Sequence, residues 1–198
     1  MPKHLCRWTL ALLIGSFGCR AVGSERQATS APTTSASTAP PVPFSSAKYG
    51  FSVQSPADWS PIKGAADEPL SLLPKSQVNV KDLSLVPSLK MQVPALPLHI
   101  PGLIPVGSVA NGYVDDLRKQ HPDLKVDERA SVSIPNASDR RIVSTFHQGQ
   151  TAWRDMVLCI VHKDRVFLLV ADCPASDYPA TKAAFDAMAS SLKWTEKQ

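Results

Sequence analysis

The pattern of hydrophobic and polar positions from residue 47 onward predicts a sheet-rich domain. Apolar side chains alternate with polar ones at 49–56 and again at 88–95, which is the period of half-buried strands. A short strand is a candidate between them at 70–73. Four more strands follow one another closely, and their predicted ranges are 125–132, 139–147, 152–162 and 165–173.

Two amphipathic helices accompany these strands. Ser108 is predicted to cap the first, which runs to about Gln120, and the second begins near Asp177 with Pro179 in its first turn. Apolar side chains recur every three or four residues on one face of each helix. These faces comprise Val109, Tyr113, Leu117 and Gln120 in the first helix, and Tyr178, Thr181, Phe185, Met188 and Leu192 in the second.

The arrangement of these elements predicts an α+β fold. Residues 156–161 and 166–171 are continuously apolar, so their strands are expected to be covered on both faces. Short turns join the strands, which makes an antiparallel meander the simplest connection. The prediction is therefore an antiparallel β-sheet meander sandwiched between helices.

The first 18 residues have the features of an export signal. A basic start at Lys3 and Arg7 precedes an apolar run of 11 residues at 8–18. That run is shorter than the roughly 20 residues that a transmembrane helix needs. We therefore predict a signal peptide at 1–18 and no transmembrane anchor within it.

Cys19 is a candidate lipidation site. It follows Gly18 at the end of the apolar run and resembles the lipobox cysteine of bacterial lipoproteins, although Ser16 and Phe17 depart from that pattern. The resemblance implies a fatty-acid (palmitate-type) anchor on Cys19 and, by analogy, an outer-membrane location facing the periplasm or the cell surface. The alternative is cleavage after Gly23, which gives a secreted or periplasmic protein.

A tether is predicted between this anchor and the domain. In the chain as a whole, 43% of residues are hydrophobic and 19% are charged, but 17 of the 19 residues at 28–46 are Ala, Thr, Ser or Pro. Such a segment buries too little apolar surface to offset its chain entropy. We therefore predict a disordered tether at 19–46 and a folded domain at 47–198.

The charge of the mature chain excludes one class of partner. The whole chain has 21 basic and 17 acidic residues. Loss of Lys3 and Arg7 with the signal peptide lowers the net charge from +4 to +2. The remaining basic residues are scattered along the chain. Nucleic-acid binding is therefore not expected.

The predicted domain resembles the PsbP superfamily at both of its ends. The resemblance rests on the segments Tyr49-Gly50-Phe51-Ser52-Val53, Pro56-Ala57-Asp58-Trp59, Ala171-Asp172-Cys173-Pro174 and Ser191-Leu192-Lys193-Trp194, together with Phe185. This superfamily is named for the photosystem II extrinsic protein and includes bacterial lipoproteins of the DcrB and LpqN types. The resemblance implies a PsbP-like α/β/α sandwich and a role in binding partners.

The chain lacks the common sequence motifs of catalysis and cofactor binding. The sequence contains no G-x-S-x-G, C-x-x-C, Walker or G-x-G-x-x-G motif, so no enzymatic activity and no cofactor are predicted. No pair of histidines has the spacing of metal ligands on a helix. His121 lies near Asp123, Asp127 and Glu128, but a solvated helix end explains that cluster better than a metal site does.

The two cysteines of the domain, Cys159 and Cys173, are predicted to be free thiols. If 163–164 forms the turn between the last two strands, Cys159 lies opposite Leu168. Cys173 is then five residues further along the strand and on the other face. That separation is too large for a disulfide.

The segment 94–105 is the candidate partner-binding loop. Prolines at four of its positions exclude a helix and prevent regular strand pairing, although the segment is strongly apolar. Its apolar side chains either pack beneath the first helix or form an exposed contact surface. They are Leu96, Leu98, Ile100, Leu103 and Ile104.

Three functional hypotheses follow from the sequence. The first is a membrane-anchored cell-envelope lipoprotein whose single domain is a non-catalytic protein-binding or assembly module. The second is a carrier of a hydrophobic ligand in a cavity between sheet and helix. The third, less favoured, is an envelope hydrolase with convergent polar residues in a cleft.

Overall fold

The computed structural model describes residues 40–80, 85–95, 104–163 and 165–195. Cys19, the signal peptide and the tether up to residue 39 lie outside the described residues. Residues 96–103 of the candidate partner-binding loop also lie outside them, and with them four of its five apolar candidates, Leu96, Leu98, Ile100 and Leu103. Within the described ranges, no helix is both long enough and apolar enough to cross a bilayer.

Ten strands and two α-helices occur in the described residues. The helices are α1 (Val106–Gln120) and α2 (Tyr178–Ser191). The strands are β1 (Val42–Ser46), β2 (Phe51–Ser55), β3 (Trp59–Ile62), β4 (Leu70–Pro74), β5 (Ser88–Gln92), β6 (Lys125–Ala130), β7 (Ser138–Gln148), β8 (Thr151–His162), β9 (Arg165–Pro174) and β10 (Lys193–Trp194).

The strands form two antiparallel sheets. The larger has seven strands in the order β3-β4-β5-β9-β8-β7-β6, and the smaller has three in the order β1-β2-β10. Strands β6 to β9 are consecutive neighbours in the larger sheet, which is the predicted meander. The predicted α+β fold, an antiparallel sheet between helices, is confirmed.

Two hydrophobic cores lie on opposite faces of the seven-stranded sheet. The larger core contains Phe51 of the small sheet, Phe167 of β9 and Phe185 of α2, each fully or almost fully buried. The smaller core lies beneath α1, whose Ala110 and Val114 are buried against β7, β8 and β9. Helices therefore cover both faces, as the continuous apolar strands require.

The structure corrects three predicted boundaries. Residues 42–46, expected to end the disordered tether, form β1 and pair with β2, because Phe44 packs against the large core. Ser108 is not the cap of α1, because the helix already begins at Val106 after Pro105. The strand expected at 88–95 ends at Gln92.

The early end of β5 has a local cause. The backbone amide of Val93 donates to the carbonyl of Asp67, at 2.8 Å, and so leaves the sheet ladder. Pro94 follows and has no amide to donate. The pattern also missed β3, because an edge strand of four residues that contains Pro61 has little periodicity of its own.

The two cysteines of the described residues are free thiols, as expected. Cys159 pairs with Leu168 in the β8–β9 register. The side chain of Cys159 lies in the core beneath α1, whereas Cys173 lies on the opposite face and hydrogen-bonds to Thr181 of α2. Burial raises the pKa of the Cys159 thiol to about 12 and that of Cys173 to about 11.

We expect Phe185→Ala to lower the free energy of unfolding by about 3–5 kcal/mol, because it leaves a cavity between α2 and the sheet. Urea denaturation followed by circular dichroism measures this change. Ala187→Ser, at an exposed position of the same helix, is the matched control and should change stability by less than about 0.5 kcal/mol. Equal effects of the two substitutions would contradict the proposed core.

Candidate functional site

A pocket of about 400 Å³ opens at one end of the seven-stranded sheet. We call it the turn pocket, because the turn between β6 and β7 forms much of its wall. Ile104, the one apolar candidate of the partner-binding loop within the described residues, forms another part and packs against the core beneath α1. The lining residues are Ile104, Asn136, Ala137, Ser138, Val161 and Lys163.

Asp139, the second residue of β7, organises the turn from inside. Its carboxylate accepts hydrogen bonds from the backbone amides of Val132, at 2.6 Å, and Ile134, at 2.9 Å, and from the hydroxyl of Ser131, at 2.8 Å. Ser133 and Asn136 in this turn have positive φ angles of 66° and 57°. The carboxylate thus holds a backbone conformation that non-glycine residues adopt only with support.

The environment of Asp139 stabilises its charged form. Burial raises the pKa of this carboxyl, but the hydrogen bonds from Val132, Ile134, Ser131 and Ser133 outweigh burial, so the pKa lies below its usual value. Asp139 is 7% exposed. It is therefore a buried carboxylate with several donors, and it fixes the wall of the turn pocket.

Two aromatic side chains hold the same turn from outside. The indole Nε1–H of Trp194 donates to the carbonyl of Pro135 at 2.9 Å, and His162 Nδ1 lies 2.8 Å from the carbonyl oxygen of Asn136. The rings of His162 and Trp194 stack with centroids 3.9 Å apart. Because a carbonyl can only accept, His162 carries a proton on Nδ1 in this arrangement. The turn is thereby joined to both β8 and β10.

The sequence anticipated this site in part. The candidate loop contributes Ile104, but the sequence pattern predicts Asp139 only as the first residue of a strand. The available signal was an aspartate three residues after a Pro-Asn turn, since such side chains often accept bonds from nearby amides. The contributions of His162 and Trp194 depend on long-range contacts that no local pattern reveals.

The histidine and acidic residues near 121–128 do not converge. His147 Nδ1 lies 2.8 Å from Asp123 Oδ2, whereas Asp127 accepts from Arg154 and Glu128 pairs with Arg141. His121 instead stacks on Phe146, with ring centroids 3.8 Å apart. Within the described ranges, no group of three or more His, Cys, Asp or Glu side chains is arranged to hold a metal ion.

Comparison with solved structures assigns the fold. The domain has the PsbP-like fold, also seen in Mog1p, and the resemblance inferred from its sequence is confirmed at this level. Cyanobacterial PsbP (CyanoP) from Synechocystis sp. PCC 6803 matches with a TM-score of 0.55 and 13% identity, over 83% of this chain and 99% of that chain.

Two further structures share the fold. LpqN, involved in cell envelope biogenesis of Mycobacterium tuberculosis, matches with a TM-score of 0.54 and 13% identity, over 80% of this chain and 87% of that chain. The Ran-binding protein Mog1p of Saccharomyces cerevisiae matches with a TM-score of 0.54 and 8% identity, over 78% of this chain and 95% of that chain. No family model and no curated protein sequence matches the chain.

We expect Asp139→Asn to lower the free energy of unfolding by about 1–3 kcal/mol at pH 7, because an amide places N–H groups against backbone donors. Asp139 has a lowered pKa in the fold, so its contribution is present above the unfolded value near 3.8 and is lost as pH falls through the folded-state pKa. Denaturation at pH 7 and pH 3 tests this: the difference from wild type should shrink at the lower pH.

Asp58→Asn serves as the control for this substitution, because Asp58 is exposed on the turn before β3. It should change stability by less than about 0.5 kcal/mol at pH 7. A wild-type advantage over Asp139→Asn that is the same at both pH values would contradict the assignment of Asp139 as a stabilising carboxylate.

Proposed function

We propose that this protein is a non-catalytic binding module of the bacterial cell envelope, held at a membrane through lipidated Cys19, that docks a protein partner at the turn pocket. The turn pocket is the observation that carries the proposal. Its wall is held by the bonds of Asp139, His162 and Trp194, so it presents a fixed shape to a partner. A preorganised surface loses little conformational entropy on binding.

Two proteins that share the fold support the proposal of an envelope binding module. LpqN is involved in cell envelope biogenesis, and Mog1p is a Ran-binding protein. The export signal and the predicted lipobox direct this chain to an envelope.

The lining of the turn pocket favours binding over catalysis. Its polar members in the described residues are Asn136, Ser138 and Lys163, and this set contains neither an imidazole nor a carboxylate to activate a nucleophile. Ile104 and Val161 supply apolar surface beside these polar groups. A small apolar area bordered by hydrogen-bonding groups is typical of a protein contact.

Packing between the sheet and the helices favours a binding module over the alternative of a hydrophobic carrier. Phe185 and Met188 of α2 have no exposure, and Ala110 and Val114 of α1 are at most 1% exposed. Side chains therefore occupy the described space between the sheet and each helix. A carrier needs an apolar cavity in that space.

Lipidation is tested in the full chain expressed in a bacterial host with a clickable palmitate analogue. We expect the label and membrane association to be lost in Cys19→Ser, because the thiol is the acceptor, and kept in Cys6→Ser, which removes another cysteine of the leader. The measurements are in-gel fluorescence and membrane fractionation. An unlabelled mature chain beginning at Ser24 would contradict lipidation and support cleavage after Gly23.

Docking is tested with a photo-cross-linking amino acid in place of exposed Ser138 in the pocket and, as a matched control, in place of exposed Ala183 on α2. We expect irradiation of intact cells to give one defined protein adduct from Ser138 and none from Ala183. Introducing Ile104→Lys into the Ser138 reporter chain should weaken that adduct several-fold, because it puts a charge on the apolar wall. Equal adducts from both positions, or lipid adducts alone, would overturn the proposal.

A further inference from the structure

Four oxygen-bearing side chains form a row across the sheet beneath α1. Ser144 of β7 is the register partner of Asp155 of β8, which is the partner of Asp172 of β9, and Asp172 is the partner of Ser88 of β5. Direct partners in an antiparallel pair project to the same face, with Cβ atoms about 4.5–5.5 Å apart. They share the face of the sheet against which α1 packs.

Asp155 is the most enclosed member of this row. It has no exposure, and one side chain donates to it in the described residues: the hydroxyl of Tyr113 of α1 lies 2.7 Å from Oδ2. Its other oxygen, Oδ1, has no partner among the described hydrogen bonds, and neither has the buried hydroxyl of Ser144 beside it. Two adjacent polar groups are thus buried without being paired to each other.

Asp139 and Asp155 are both buried, but they differ in the number of hydrogen-bond donors around them. Asp139 is also buried in β7, but it accepts from two backbone amides and a hydroxyl, which is an environment suited to an anion. Asp155 has one described donor and a second acid directly opposite. Burying an isolated carboxylate under such conditions is very costly, whereas a protonated carboxyl can donate to its neighbour.

The other charged and titratable groups around Asp155 do not remove this cost. Burial raises its pKa well above the usual value and the charge of Asp172 raises it further, while Tyr113 and Lys90 of β5 oppose the rise and are outweighed. The charge of Asp172 acts to raise the pKa of His121, at the end of α1, but burial outweighs it and the pKa of His121 is lowered. The buried Cys159 thiol, with its pKa of about 12, stays neutral.

We propose that Asp155 is protonated in the folded protein and donates a hydrogen bond to Asp172, and that this proton latches α1 onto the sheet. The proton satisfies Oδ1 by allowing it to donate to the carboxylate of Asp172. Tyr113 then joins α1 to a neutral carboxyl group. Removal of the proton leaves Asp155 and Asp172 both negatively charged on neighbouring strands, with Asp155 fully buried beneath the helix.

Helix α1 is the element that responds to this charge. In the described structure it has two buried residues, Ala110 and Val114, whereas α2 has five. Its packing therefore provides less to oppose release than the packing of α2 does. Because Ile104 lies just before α1 in the chain, release of the helix also displaces one wall of the turn pocket. The latch itself does not depend on the pocket having a partner.

The direction of the pH effect follows from linkage. A folded-state pKa above the unfolded value means that docking of α1 is strongest below about pH 4 and weakens as pH rises towards the folded-state pKa. Since one proton is released on opening, the opening equilibrium of α1 rises by up to about tenfold for each pH unit in this range. Above the folded-state pKa it is constant.

Hydrogen–deuterium exchange of the mature chain tests the latch at pH 5, 6, 7 and 8, after correction for the intrinsic exchange rate. We expect protection of α1 amides to fall with pH by up to about tenfold per unit, and protection of α2 amides to change much less. Protection of α1 that does not change with pH would overturn the proposal. A parallel loss in both helices would overturn it as well, because that result describes global destabilisation.

Asp155→Asn is the decisive variant, because its amide mimics the protonated acid: the oxygen accepts from Tyr113 and the N–H₂ group donates to Asp172. Exchange of α1 should then lose its pH dependence. Asp172→Asn provides a second variant and should reduce the dependence by removing the opposing charge. Asp115→Asn, an exposed acid of α1 that pairs with Arg118, is the control and should leave it unchanged. A wild-type slope in Asp155→Asn would overturn the proposal.

Discussion

Burial of the β8–β9 hairpin on both faces is the constraint on which the rest of the structure depends. Residues 156–160 and 166–171 are all buried, and alternate side chains point into two different cores. A hairpin of this kind cannot leave either face in water, so a layer must cover each side. On one side α2 and the small sheet supply that layer, and on the other side α1 supplies it.

The two cores place very different demands on polar groups. Asp139 is surrounded by hydrogen-bond donors, so its charged carboxylate holds the turn that forms the pocket. Asp155 lies in the core beneath α1 with one described donor and an acid opposite. Its proposed proton is therefore needed for α1 to pack there. Both are aspartates on neighbouring strands of one sheet. The difference between them arises from the number of hydrogen-bond donors that the fold brings to each.

The position of the turn pocket follows from the same architecture. At the end of the hairpin, His162 of β8 and Trp194 of β10 meet the turn before β7, so three separate parts of the chain meet at one place. Rigid elements therefore support a short turn whose backbone is held on both sides. The resulting surface offers a fixed shape and several hydrogen-bonding groups.

The sequence by itself determined the secondary structure of the meander, the two amphipathic helices and the need for cover on both sheet faces, because these depend on local periodicity and on apolar runs. It also determined the Cys159–Leu168 register, since a tight turn sets the register of its hairpin. Only the tertiary structure decided that 42–46 is a strand, that β3 is an edge and that β5 ends at Gln92. It alone decided that the loop before β7 turns its amides towards Asp139 and that Tyr113 of α1 covers Asp155, because these contacts depend on loop conformation and helix packing that no local pattern specifies.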